Sequence, residues 1–248
     1  VRYLVLSDIH SNIDALDAVL ADAEAAPTDA VLVLGDLVGY GADPELVIAR
    51  VRTLAPVGIV RGNHDKVVAG IDDDEGFNPL ARRSVTLTRS ALSEGSLAYL
   101  ATLPQGPLFV DPLVEICHGA PFDEDWYLHD EFDVLEALSA SRRQACLFGH
   151  THVSFAAALA ADDQLRVLLA RGGEQKTVEF GDGGQYVFNP GSVGQPRDGD
   201  PRAAYGILDT DARLMAFRRV AYPVERARDR ILAAGFPKQL ALRLMVGR

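Results

Sequence analysis

Only two cysteines, Cys117 and Cys146, occur in 248 residues. That is too few for a disulfide framework and suits a reducing compartment. No apolar run approaches the roughly 20 residues that span a bilayer. The opening VRYLVLSDIH has too short an apolar stretch for a signal-peptide core and no small-residue cleavage pattern. These absences predict a cytoplasmic protein without a membrane partner. Basic clusters are missing as well: 24 Lys and Arg face 35 Asp and Glu, for a formal charge of -11. A long nucleic acid gripped through its phosphates is thereby excluded. A small phosphorylated substrate is not, because a local cationic site can oppose the global sign. There is no internal repeat, low-complexity segment or Pro/Ser-rich linker, so residues 1–248 are expected to form a single domain. What is present, 48% hydrophobic and 24% charged residues, is ordinary for a globular chain able to bury a large core.

The spacing of apolar residues predicts a strand over 1–6, a helix through NIDALDAVLADAEAA up to Pro27, and a second strand at AVLVL. Asp43 and Pro44 have the character of an N-cap and first helical residue for a helix over 45–54, followed by a strand at VGIV. This β-α-β-α-β opening implies parallel strands with right-handed crossovers. Asn78-Pro79 and Ser93 start two further helices. Strands are then expected near 108–110, 113–117, 145–148, 166–170, 176–180, 185–189, 203–209 and 213–219, interrupted by the helix FDVLEALSAS. Turns such as GDGG suggest antiparallel hairpins. Helices near 223–234 and 237–246 close the chain. The most economical packing is a four-layer α/β/β/α sandwich with two mixed β-sheets.

Polar residues break out at the C-terminal end of each of the first three strands: Asp8 and His10, then Asp36, then Asn63, His64 and Asp65 in GNHD. In open α/β sheets that edge binds ligands. LVEICHGA ends in His118 and ACLFGHTH in His150 and His152. In extended backbone, residues two apart share a face, so Asp8 with His10, and His150 with His152, are expected to act as pincers. Five of the six histidines lie at strand ends beside Gly or Asp; His129 alone does not. Cys117 and Cys146 are read as small core residues, and Asn12 as the N-cap of the first helix.

In order, DIH (8–10), GDLVG (35–39), GNHD (62–65), HG (118–119) and GHTH (149–152) resemble the signature blocks of the calcineurin-like metallophosphoesterase superfamily. FNPGSVGQPRDGDPRAAYGILD is similar to its small single-domain bacterial branch. The resemblance implies two divalent transition-metal ions: Asp8, His10 and His152 hold one, Asn63, His118 and His150 the other, and Asp36 bridges them. His64 is implied to stay uncoordinated and assist the leaving oxygen, with Asp65 orienting it. Imidazole and carboxylate ligands without thiolate suit Mn, Fe, Zn or Co. Two divalent ions outweigh two aspartates and a bridging hydroxide, so the pocket attracts a phosphate anion. Direct attack by that hydroxide is the expected mechanism.

Phosphoprotein phosphatases carry GDxVDRG at the second block, where this chain has GDLVGYG and Tyr40 replaces the phosphate-gripping arginine. RGNHD keeps Arg61 but lacks that group's Glu. The expected function is therefore hydrolysis of small phosphodiesters, nucleotides included, with Tyr40 covering a base or sugar and Arg197 supplying substrate charge. Arg202 is a second source of charge, and Gly191 and Ser192 are expected near the pocket. The alternatives are a phosphomonoesterase or phosphoprotein phosphatase, and a non-catalytic metal-binding scaffold of the retromer-subunit type.

Overall fold

Apolar runs set the strands, and polar caps set where the helices between them begin. In the computed structural model, which describes residues 1–162, 164–169 and 175–248, β1 (Arg2–Leu6) leads into α1 (Ile13–Ala23). Asn12 caps α1, its side-chain oxygen accepting the Ala15 amide at 3.1 Å. Then come β2 (Ala30–Val33), α2 (Pro44–Thr53) and β3 (Gly58–Ile59). Pro44 opens α2 at a position where its missing N–H leaves no bond unmade. The next element, α3 (Asn63–Ala69), is a helix that the sequence reading lacked. Asp65 starts it by accepting the Gly62 amide at 3.0 Å, and Gly70, at φ 79°, ends it.

The remaining elements are α4 (Pro79–Ala91), α5 (Glu94–Ala101), β4 (Leu108–Phe109), β5 (Val114–Ile116), α6 (Glu131–Ala140) and β6 (Ala145–Leu147). After them come β7 (Phe155–Leu159), β8 (Leu165–Leu169), β9 (Lys176–Glu179), β10 (Gln185–Asn189), β11 (Ala203–Asp209), β12 (Leu214–Val220), α7 (Val224–Ala233) and α8 (Lys238–Leu244). The sequence reading lacked β7, whose three alanines carry little strand propensity. Its place is fixed by pairing on both sides, with β10 and with β8. Of the strand expected over 166–170, the last position lies outside the described residues.

Two six-stranded sheets result, ordered β3-β2-β1-β11-β12-β9 and β4-β5-β6-β10-β7-β8. In the first, β1, β2 and β3 run parallel as expected, and β11, β12 and β9 add antiparallel. In the second, β5, β6 and β10 are parallel and the other pairs antiparallel. GDGG does not form a hairpin: it carries the chain from β9 in one sheet to β10 in the other. The two-residue period of β1 divides its side chains between two layers. Tyr3 and Val5 meet Val114, Ile116, Leu147 and Phe188 between the sheets. Leu4 and Leu6 face the outer helices with Leu16, Val19, Ile231 and Leu240. On the far side, Val134, Ala137 and Leu138 of α6 cover Cys117, Cys146 and Val187. The architecture is the four-layer α/β/β/α sandwich with two mixed sheets. Both cysteines are buried free thiols, their sulfurs 3.7 Å apart. Among the described residues no helix is long and apolar enough to cross a membrane.

Candidate metal centre

The parallel strands β1, β2, β5 and β6 all end at one edge, and the loops beyond them carry the expected side chains inward. These positions are not extended. Asp8, His10, Asp36, His150 and His152 have φ of 52°, 47°, 53°, 64° and 59°, a left-handed conformation uncommon for such residues. The pincers therefore do not arise from strand alternation. Left-handed residues at alternate positions aim the side chains instead, held there by close packing. A Cβ on Gly62 would overlap the Asp36 carboxylate, and one on Gly149 would overlap Ser7 and Asp8, so both loops need glycine for close approach.

The structure brings together two buried groups: Asp8, His10, Asp36 and His152, then Asp36, His118 and His150. Asp36 Oδ2 is common to both, 3.4 Å from His10 Nε2 and 3.5 Å from His118 Nε2. Its other oxygen accepts the His64 amide at 2.9 Å. His152 Nε2 lies 3.2 Å from Asp8 Oδ1 and 3.1 Å from His10 Nε2. His118 Nε2 lies 3.1 Å from His150 Nδ1 and 3.3 Å from Asn63 Oδ1. Donors bound to one ion at about 2.0–2.2 Å stand apart by about this much.

Outward-facing nitrogens decide the tautomers. His10 Nδ1 meets Val38 O at 3.0 Å, His118 Nδ1 meets Leu34 O at 2.7 Å, and His152 Nδ1 meets Gln195 O at 2.7 Å. His150 Nε2 meets Asp125 O at 3.1 Å. A carbonyl only accepts, so each of these nitrogens carries a hydrogen, and in the neutral ring the inner nitrogen presents a lone pair. Lone pairs facing one another across 3.1 Å repel unless a cation lies between them. The residues thus fit metal ions on their donor chemistry alone.

Electrostatics agree. Burial opposes the charge on Asp36, but His118, His64 and His10 hold its carboxyl well below the usual range. Burial depresses His10 and His150 well below the ordinary histidine value, and lowers His152. His118 differs: burial lowers it, yet Asp36 and Asp8 together carry it up to about 10. Without a cation those carboxylates keep a proton on His118, and a metal ion bound there would take that proton's place.

The other predicted residues are sorted by their contacts. His64 is buried with its ring 5.1 Å from His10, 4.3 Å from Tyr40 and 4.7 Å from Phe77, and its Nδ1 has no partner. Asp65 does not orient that ring. Its oxygens accept the amides of Leu37, Val38 and Gly62 at 3.0–3.2 Å, so it ties the second block to α3. Tyr40 packs against His10 and His64. Arg197 stands over the Tyr40 ring and donates to Gln195 Oε1 at 3.1 Å. Arg202 is held by Asp200, and Arg61 by Glu124. Ser192 Oγ donates to Asp8 O at 2.7 Å, returning the NPGS loop to the first block.

Sequence reasoning missed several contacts. Ser7 Oγ donates to Asp8 Oδ2 at 2.6 Å. Tyr127 stacks on His150 at 3.6 Å, and Arg243 of α8 shares the Tyr40 ring with Arg197. Ser7 adjoins a motif and was open to inspection; Tyr127 lies in an irregular segment without a motif, and Arg243 in a predicted helix where an arginine is unremarkable.

A family model described as the calcineurin-like phosphoesterase superfamily domain matches residues 1–213. An uncharacterized protein of Methanocaldococcus jannaschii is 31% identical over 256 residues, covering 98% of this chain and 97% of its own. The crystal structure of a metallophosphoesterase from Sphaerobacter thermophilus superposes with a TM-score of 0.87 at 35% identity, covering both chains completely. A hypothetical protein from Pyrococcus horikoshii OT3 gives 0.79 at 19% identity, over 100% of this chain and 98% of that one. The chain belongs to the calcineurin-like phosphoesterase superfamily.

Proposed function

We propose that this phosphoesterase binds two divalent metal ions and hydrolyses small phosphodiesters. The observation that carries the reading is the convergence of four imidazole lone pairs on two sides of one carboxylate oxygen, Asp36 Oδ2. A pair of ions held there would acidify a shared water, hold the phosphoryl oxygens and offset charge in an in-line displacement. Nitrogen and oxygen donors without thiolate favour Mn, Fe, Zn or Co over Mg or Ca.

The chain's own residues supply the rest. Burial lowers the His64 imidazole to about 4, Arg197 adding to the effect and Asp36 opposing it. It is therefore neutral at physiological pH, and its N–H can donate to the oxygen that leaves phosphorus. Tyr40 walls the His10 side of the centre and Tyr127 the His150 side. Next to Tyr127 lies a cavity of about 710 Å³, bordered by Leu128, Phe148, Val153, Phe155 and Arg197. A phosphodiester carries an organic group on each of two oxygens, and aromatic walls on both sides suit that shape.

Turnover of bis-p-nitrophenyl phosphate beside p-nitrophenyl phosphate tests the reading. Expected is metal-dependent hydrolysis with the larger kcat/KM for the diester. A fully metal-loaded protein inert on both esters would favour the scaffold alternative, and a preference for the monoester would overturn the diester assignment.

A further inference from the structure

Several arginines in this chain are matched to carboxylates, among them Arg61 to Glu124, Arg219 to Asp198, Arg226 to Asp14 and Arg230 to Asp43. Two at the mouth of the metal centre are not. Arg197, from the loop before β11, and Arg243, from α8, lie over the same Tyr40 ring, their guanidinium carbons 5.8 Å and 5.9 Å from its centroid. Both donate to one neutral acceptor, Gln195 Oε1, at 3.1 Å and 3.4 Å. Arg197 Nε is buried without a partner. Neither has a carboxylate within ion-pair distance among the described residues, although the chain carries 35 of them.

Two half-buried cations held side by side repel, and burial together with Arg197 lowers the Arg243 guanidinium below its ordinary value. An anion between them would relieve both the repulsion and the unmet donors. The same Tyr40 ring packs against His10 and His64, at 4.8 Å and 4.3 Å between centroids. An anion there would sit across that ring from the metal centre. Arg243 also lies beyond residues 1–213, which the family model covers.

We infer that Arg197 and Arg243 form a second anion subsite, which selects phosphoesters whose organic part carries a further phosphate or carboxylate. The inference rests on the phosphoesterase reading but is tested apart from it. Calorimetric titration of the Mn-loaded protein compares thymidine 3′,5′-bisphosphate with thymidine 5′-monophosphate, and the same preparations are assayed on bis-p-nitrophenyl phosphate. The bisphosphate is expected to bind about 10- to 100-fold more tightly, the scale of charge-assisted hydrogen bonds. In Arg243→Gln the two ligands should bind within about threefold of each other. Arg243→Lys, which keeps the charge, should retain much of the difference, separating lost charge from lost packing. Equal binding of both ligands by the unaltered protein, or a preference unchanged in Arg243→Gln, overturns the inference even if the diester is cleaved. A bisphosphate preference in a protein inert on esters keeps the subsite and removes the hydrolase reading.

Discussion

At the scale of single residues, function turns on which nitrogen of each histidine holds the proton. His10, His118 and His152 give Nδ1–H to backbone carbonyls and His150 gives Nε2–H, so the inner atoms have only lone pairs to offer. His64 stands apart, with no ligand partner and its Nδ1 unsatisfied. His64→Ala should therefore keep the protein's metal content while slowing turnover by about 10²- to 10⁴-fold. Elemental analysis beside steady-state kinetics checks this; loss of metal in the variant would move His64 into the ligand set. The ligand candidates were legible because each sits in a short block of Gly, Asp and His at a strand end. Asp65 was misread for a physical reason: a carboxylate next in sequence to a histidine invites pairing, but at the third position of a helix it faces the open amides of its own first turn. Arg243 gave no signal, since an arginine in the last turn of a helix is ordinary.

Among the elements, α3 and the left-handed loops were the hardest to foresee. GNHD contains the residues of a turn, and only the amides it finds in space make it a helix start. The paired left-handed residues around His10 and His152 follow from packing against Asp36 and the NPGS loop, which no local pattern records. The parallel β1-β2-β3 opening was legible because unbroken apolar runs alternate with amphipathic ones. A pH prediction belongs to α6. Trp126, the single tryptophan, donates to Asp133 Oδ1 at 3.0 Å, and Asp133 Oδ2 accepts the amides of His129 and Asp130. Burial raises the Asp133 carboxyl, but these bonds outweigh it and set the group below its ordinary 3.8. A depressed carboxylate stabilises above its unfolded value and loses that stabilisation as pH falls through the folded one. Tryptophan fluorescence should thus stay flat from pH 7 to about 4 and change below that. Asp133→Asn should abolish the acid step; an identical step in the variant would contradict the assignment.

In the whole molecule, the sandwich exists in register with the centre, because candidate ligands at the ends of β1 and β2 and the start of α3 meet those beyond β5 and β6 of the other sheet. Bound cations should therefore clamp the two sheets together. Metal loading at about a hundred times Kd adds about 2.7 kcal/mol per ion, raising Tm by about 5 °C or more. Scanning calorimetry of chelated and reloaded protein reads this directly, and an unchanged Tm would mean that the ligands do not hold metal in the folded state. Net acidity describes the average and is silent about the mouth of the site, where Arg197 and Arg243 face no carboxylate within ion-pair distance among the described residues. The most direct test of the central claim is the number of divalent ions bound per chain at saturation, measured by mass spectrometry on the native protein and on Asp36→Ala. Two ions in the native chain, with fewer in the variant that lacks the shared carboxylate, is the predicted result; a native chain that saturates at one ion or none would contradict it.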